Sequence, residues 1–259
     1  MKSKALILQA HGTNRDYDVA EALSLAGAEP VLVPLNELRA NKKRFGDYQM
    51  LVLPGGFSYA DSLGAGKLLA IDLNTYFIEE INQFVNSGKP VLGICNGFQA
   101  LIKSGVLPFG AGKTESGATL TYNARGHFEC RWVTLKSVSQ QCLWTRDLDE
   151  LIECPVAHGE GNFQINSFFP LSSFLENDQI ALAYICPDGS PARAEYPFNP
   201  NGSVQDIAGI CNPQGNVLGL MPHPENHIHP FQHPLWTRGV SRNCGLALFE
   251  NGVRYAAGI

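Results

Sequence analysis

What this 259-residue sequence lacks narrows it first. No apolar run is long enough to span a bilayer, and the first residues lead directly into a strand without a signal-peptide pattern, so a cytoplasmic protein is expected. There is no basic stripe: 19 Lys and Arg stand against 24 Asp and Glu for a net charge of −5, which leaves binding to nucleic-acid phosphates without support. Lys42, Lys43 and Arg44 read as a solvated loop. There is no C-x-x-C pair either. The seven cysteines (Cys95, Cys130, Cys142, Cys154, Cys186, Cys211 and Cys244) are odd in number and widely spaced, which argues against both a disulfide framework and a zinc site. No linker, internal repeat or low-complexity tract divides the chain, and a single domain over residues 1–259 is expected.

What is present centres on Pro90 to Ile102, PVLGICNGFQALI. Val91, Leu92 and Ile94 suit a strand buried on both faces; the run enters Gly93-Ile94-Cys95-Asn96-Gly97 and leaves in a helical pattern. Strand, sharp elbow and helix form the arrangement that exposes a nucleophile, here G-x-C-x-G with sulfur in place of oxygen. Glycines two residues either side of Cys95 leave room for the turn. A thiol at the start of a helix lies near the positive end of the dipole and beside unpaired N–H groups, which favours the thiolate. Cys95 is the candidate nucleophile; the competing reading is a structural cysteine packed between strand and helix.

The N-terminal half reads as repeated strand and helix. Ala5 to Leu8 is a strand, Val19, Ala22, Leu23 and Ala26 mark a helix, and Val31 to Val33 is the next strand. Met50 to Leu53 ends at Pro54-Gly55-Gly56-Phe57, where adjacent glycines let backbone N–H groups approach a ligand at the carboxyl end of a buried strand. Leu73 to Val85 reads as one amphipathic helix stopped by Gly88. Beyond Gly105 comes a loop with Gly110, Gly112 and Gly117. Strands at Thr119 to Tyr122, Cys130 to Leu135, Cys154 to Ala157, Gln179 to Ile185, Ile207 to Cys211 and Val217 to Met221 follow, with a closing helix around Leu246 to Val253. The expected fold is α/β: a mostly parallel sheet flanked by helices, with an antiparallel strand extension.

Val217 to Met221 runs into Pro222-His223-Pro224-Glu225, again just past a strand. Pro224 biases His223 toward an extended backbone, in which residues two apart share a side. Glu225 is then placed to orient the imidazole, and His223 to exchange a proton with Cys95. Two rivals remain open. His158-Gly159-Glu160 repeats the spacing after another apolar strand. His223, His227, His229 and His233 are a candidate metal cluster, opposed by the prolines at 224, 230 and 234 and by the want of a completing cysteine or carboxylate; no metal is expected.

Gly93 to Gln99 together with His223-Pro224-Glu225 resembles the class I, or triad, glutamine amidotransferases. Gly55-Gly56-Phe57-Ser58-Tyr59, Arg125 to Arg131, Val156 to Gly161 and Asn199 to Ser203 are similar to the branch of that family that serves as glutaminase subunit of phosphoribosylformylglycinamidine synthase. The resemblance implies a flavodoxin-like sheet, Cys95 as nucleophile, His223 as general base and acid, and Glu225 as orienting carboxylate. It also implies an oxyanion hole from the backbone N–H of Asn96 and one from the Gly56-Phe57 turn, with Gln99 shaping a glutamine pocket. Ammonia would pass to a synthetase partner of the PurL type for the ATP-dependent conversion of formylglycinamide ribonucleotide to the amidine in purine biosynthesis. A small bridging subunit of the PurS type is a candidate second partner; ATP and magnesium are expected on the synthetase and no cofactor on this chain. Neither nucleic acid nor membrane is an expected partner. The chain departs from the family pattern at Phe98, where small or cysteine residues are common, at Asn226, where arginine is usual, and in a longer His227 to His233 segment. The roles of His158 and Glu160 stay open. The alternatives are a subunit serving another acceptor and a non-catalytic regulatory subunit.

Overall fold

Short runs of contiguous apolar residues build the centre of the molecule. The computed structural model describes residues 2–109, 117–166, 170–239 and 244–258. Its first half alternates strand and helix: β1 (Lys4–Gln9), α1 (Asp16–Leu25), β2 (Glu29–Pro34), α2 (Leu35–Arg39), β3 (Met50–Leu53), α3 (Lys67–Asp72), α4 (Ile78–Asn86), β4 (Val91–Ile94) and α5 (Asn96–Lys103). The second half is richer in strands: β5 (Ala118–Thr121), β6 (Glu129–Ser137), β7 (Ile152–His158), β8 (Asn162–Ile165), α6 (Leu171–Glu176), β9 (Ile180–Ile185), β10 (Ile207–Cys211), β11 (Val217–Leu220) and α7 (Leu246–Ala256).

One nine-stranded sheet has the order β2-β1-β3-β4-β11-β10-β9-β6-β7, and β5 pairs with β8 apart from it. The ladders from β2 to β11 are parallel, and those beyond β11 are antiparallel. The parallel part has the flavodoxin-like order, and the rest is the antiparallel extension. Burial follows this division. MLVL, VLGI and VLGL of β3, β4 and β11 are buried throughout, because helices cover both faces of a parallel sheet. β7 instead alternates buried and half-buried residues, the pattern of a sheet with one wetter face. β2 carries Pro30 and Pro34 at the sheet edge, where a missing N–H breaks no ladder.

The Leu73 to Val85 segment differs from the expected single helix. Leu73–Phe77 is wound as one wider π turn continuing α3, and α4 begins only at Ile78, after Phe77 departs to φ −137°. Leu73, Phe77 and Ile81 are all buried, and Phe77 meets Phe45 edge-on at 5.7 Å; the wider turn keeps this stripe on the core side. The loop positions Gly110 and Gly112 lie outside the described residues. Among the described residues, no helix is long and apolar enough to cross a membrane.

Phe98 is accommodated by an absence. A methyl group on Gly219 of β11 would lie 2.0 Å from Cδ2 of the Phe98 ring, and that buried ring stacks on Phe163 at 6.3 Å. Gly219 has no left-handed backbone angle, so volume alone requires glycine here. Gly219→Ala should therefore destabilise the fold by about 1–3 kcal/mol through overpacking, read as a lower urea midpoint. Phe98→Leu in the same chain should recover part of the loss, and a Gly219→Ala chain of parental stability would show that the ring yields freely.

Candidate functional site

Strand register brings the chemistry together. β4 lies between β3 and β11, with Leu53 opposite Gly93 and Leu220 opposite Ile94. The segments leaving the carboxyl ends of these three strands therefore meet: Pro54-Gly55-Gly56 from β3, Cys95 from β4, and Met221-Pro222-His223 from β11.

Cys95 has φ 50° and ψ −103°, an unfavourable conformation for a residue with a Cβ. The flanking glycines explain how it is held. A methyl on Gly97 would lie 1.9 Å from the Leu53 carbonyl oxygen, and one on Gly93 would lie 2.5 Å from Leu101 Cδ1 and 3.0 Å from the Gly97 backbone. They allow α5 to press against β3 and β4 as well as permitting the turn. The Cys95 N–H donates to the Leu220 carbonyl at 2.8 Å, while the residue is 5% exposed and its sulfur lies 3.7 Å from the Ala157 carbonyl oxygen.

His223 Nδ1 lies 2.6 Å from Glu225 Oε1, with both side chains buried. The pairing matches the sequence reading, but its backbone cause differs. Pro224–Asn226 is a turn of 3-10 helix rather than extended chain, and the turn brings Glu225 back to the imidazole. Proline at the first helical position suits this path because its missing N–H is not needed there. Burial opposes charge on His223, but the Glu225 carboxylate and then the Cys95 sulfur outweigh it, and the pKa is pushed up to about 10. Among the described residues His223 Nε2 has no hydrogen-bond partner, and His223 and Cys95 line one small cavity of about 40 Å³ with Gly56, Phe57 and Ala157.

Backbone donors complete the arrangement. The Phe57 N–H is committed to the Gly12 carbonyl at 3.0 Å, whereas the Gly56 N–H finds no backbone acceptor among the described residues and is the donor of this turn left for a ligand. Gly56 has φ +143°, and a Cβ there would lie 2.8 Å from the Asn14 nitrogen. The second donor is Asn96 N–H, in the first turn of α5 where amides have no intrahelical acceptor. A thiol, an oriented imidazole and two such N–H groups can carry out acyl transfer through a tetrahedral oxyanion.

A cavity of about 150 Å³ adjoins Cys95, lined among others by Gly56, Phe57, Asp61, Gln99, Phe128 and Glu160. Its wall is tied together by side-chain amides. Asn96 Nδ2 donates to Asp61 Oδ1 at 3.0 Å and Gln99 Oε1 at 3.1 Å; Asn96 Oδ1 accepts the Ser58 N–H at 3.2 Å. Gln99 Nε2 donates to the Glu160 carbonyl at 2.8 Å. Phe57 and Phe128, both half exposed, stack at 6.5 Å. Sequence reasoning does not single out Asp61, Phe128 and Tyr122 of this lining: Tyr122 reads as the end of a strand, and Asp61 and Phe128 carry no periodic signal. A larger cavity of about 560 Å³ lies at Phe45, Phe84 and Lys89 and has no cysteine or histidine in its lining.

The rival histidines are engaged elsewhere. His158 Nδ1 meets Asn123 Oδ1 at 3.2 Å, and burial, reinforced by His223, lowers its pKa to about 3, leaving a neutral ring and a poor base. Glu160 does not pair with it; that carboxylate accepts the Ala65 N–H at 3.1 Å and pairs with Lys103 at 3.3 Å. His227 Nδ1 donates to the Glu153 carbonyl at 2.5 Å, and His233 Nε2 is 3.2 Å from the Glu153 carboxylate. Trp132 meets both rings edge-on. His229 reaches Glu21 of α1 at 3.2 Å, and Asn226 reaches Asp18 of the same helix at 2.9 Å. Among the described residues, no group of three or more His, Cys, Asp or Glu is arranged to hold a metal ion.

With this geometry in place, comparison with known proteins is specific. Residues 2–256 match the CobB/CobQ-like glutamine amidotransferase domain, and the chain belongs to that family. It is 56% identical over 244 residues to phosphoribosylformylglycinamidine synthase subunit PurQ of Treponema denticola, covering 88% of this chain and 89% of that one. It is 42% identical over 258 residues to the subunit of the same name from Dehalococcoides mccartyi, covering 98% of each. Among solved structures, a chain of PurLQS from Thermotoga maritima superposes with a TM-score of 0.75 at 31% identity, covering 98% of this chain and 99% of that one.

The His223–Glu225 pair has a signature in stability. His223 holds its proton up to about pH 10 when folded, against 6.5 for its ordinary value. The native state thus binds more protons than the unfolded chain between those values. The contribution is fully present below pH 6.5 and is lost as pH rises through 10. Removing the carboxylate charge with Glu225→Gln should make the fall in urea midpoint between pH 6.5 and 10 shallower than in the parent. Equal falls in both would separate the His223 proton from Glu225.

Proposed function

We propose that this chain is a glutaminase subunit that hydrolyses glutamine to glutamate and supplies the ammonia for conversion of formylglycinamide ribonucleotide to formylglycinamidine ribonucleotide in purine biosynthesis. The observation that carries the reading is the meeting of Cys95, the His223–Glu225 pair and the N–H groups of Gly56 and Asn96 at the carboxyl ends of three adjacent strands. The two relatives named after phosphoribosylformylglycinamidine synthase supply the acceptor.

The mechanism follows from the positions. The Cys95 thiolate attacks the glutamine carboxamide carbon, and the tetrahedral oxygen takes hydrogen bonds from Gly56 and Asn96. His223, kept as imidazolium by Glu225 against the penalty of burial, gives its proton to the departing nitrogen; the C–N bond breaks, leaving ammonia and a Cys95 thioester. The now neutral imidazole takes a proton from water, whose oxygen attacks the thioester; the C–S bond breaks, glutamate leaves and the thiolate is restored. Gln99 and Phe57 shape the pocket that holds the carboxamide against Cys95.

The similar Thermotoga maritima chain is part of a PurLQS structure, which supports a synthetase partner of the PurL type and a small PurS-type subunit for this chain as well. ATP and magnesium would act on the synthetase, where the phosphorylated acceptor lies, and the assembly would work in the cytoplasm. A subunit for another acceptor is less well supported, because the relatives' names agree on this one.

The test is glutamate release and amidine formation in the assembled complex with formylglycinamide ribonucleotide, ATP and magnesium. Cys95→Ala should lower glutamine-dependent turnover by at least about 10³-fold, as removal of a triad nucleophile does. Ammonium chloride should still drive the partner's reaction. Retained glutamine-dependent synthesis in Cys95→Ala would end the proposal.

A further inference from the structure

We infer that the cavity at the amino ends of β3 and β4 is a second ligand site, built for a nucleoside monophosphate and separate from the pocket beside Cys95. Its volume of about 560 Å³, against about 150 Å³ for that pocket, falls in the range that takes a small organic ligand. Its walls come from segments that lead into the strands: the loop from Asn41 to Asp47 ahead of β3, Ser87 and Lys89 ahead of β4, and one side of α4. Cys95 and His223 follow the opposite ends of the same sheet, so this cavity has no part in the acyl transfer derived above.

The floor is aromatic. Phe45, Phe77 and Phe84 are each 5% exposed or less, yet all three line the cavity, and Phe45 and Phe77 brace each other edge-on at 5.7 Å. The π turn at Leu73–Phe77 delivers Phe77 to this floor, and such turns recur at functional sites. A flat heteroaromatic base gains by leaving water for a surface of this kind.

The rim carries cations. Lys43 and Arg44 are exposed, and among the described residues neither they nor Lys89 makes an ion pair. Lys89 is held from both ends. Its carbonyl accepts Asn216 Nδ2 at 3.0 Å, and its ammonium donates to the Tyr48 carbonyl at 2.6 Å and lies 4.9 Å from the centre of the Phe84 ring. Burial lowers the Lys89 pKa, and the Asp47 charge works against that fall. An ammonium has three N–H donors, of which Tyr48 takes one. Asp47 and Glu80 also line the cavity, leaving three cations to two carboxylates in a chain whose net charge is −5.

This lining sorts candidate ligands. A phosphate alone would not use the phenylalanines, and a fatty acid would cover Asn41, Gln83, Asp47 and Glu80 without giving them partners. A nucleoside monophosphate uses every part. Its base lies on the rings, its amino and hydroxyl groups meet the amides and carboxylates, and its phosphate takes the cations, with Arg44 offering the paired N–H fork that suits phosphate.

The experiment is calorimetric titration of the full chain with adenosine monophosphate (AMP), without the synthetase, so that no partner nucleotide site contributes. Saturable binding of one AMP per chain is expected, with adenosine and inorganic phosphate each weaker by about tenfold or more, because each engages only part of the site. Arg44→Glu, at an exposed position where folding is not at stake, should weaken AMP by about tenfold or more and adenosine far less. With Cys95→Ala used to prevent turnover, saturating glutamine should leave the AMP affinity unchanged. An absence of saturable binding at millimolar AMP would overturn the inference. So would equal AMP affinity in Arg44→Glu, phosphate binding as tightly as AMP, or displacement of AMP by glutamine.

Discussion

The contact on which this site depends is the seating of Gly97 against the carbonyl of Leu53. At that distance no side chain fits, and the start of α5 is forced down onto the end of β3. Cys95 must then turn at φ 50° to leave β4 and enter the helix. Close packing at one glycine thereby supplies the local strain that lifts the thiol out of the strand. The same seating puts the Asn96 amide beside the sulfur and the Gly56 turn next to it. The Cys95 N–H, bonded to Leu220, ties the elbow to the strand that carries His223.

Charge is distributed over the buried site with equal economy. His223 and Glu225 are both removed from water, and their mutual contact at 2.6 Å, with the Cys95 sulfur beside His223, makes that burial tolerable. His158, nearby and equally buried but with only an amide for a partner, stays neutral. Two histidines in one neighbourhood thus have opposite protonation because one has a carboxylate beside it and the other has not. Glu160 finds its counter-ion within the protein, in Lys103, whose charge also works against the rise that burial and Glu160 impose on the Asp61 pKa.

Residues that looked unusual for the family are explained by packing. Phe98 fills the space left by Gly219 and stacks on Phe163. Asn226 reaches Asp18 of α1. The histidine-rich segment after the triad is held by Trp132 and Glu153 through His227 and His233, and by α1 through His229. These contacts fasten the segment carrying His223 to both the sheet extension and the first helix, without directing any further imidazole at Cys95.

The sequence by itself determined the strand runs, the elbow at Cys95 and the candidate base and carboxylate at His223 and Glu225. Those signals are local: continuous apolar tetrads, glycines at fixed offsets and proline-bounded turns act within a few residues of themselves. It also left His158 as a rival, because a two-residue spacing carries no information about what surrounds it. Only the tertiary structure distinguishes their surroundings, since burial and neighbouring charge come from segments far apart in the chain. It decided as well that a helical turn, not extended chain, brings Glu225 to His223, and that the Phe57 N–H is taken up by the Gly12 carbonyl. Periodicity did not mark Asp61, Tyr122 and Phe128 as cavity lining. Asp61 ends a strained turn and is held by the Asn96 amide, while Tyr122 and Phe128 stand at the end of β5 and the start of β6 and are placed by the pairing of those strands with β8 and β7.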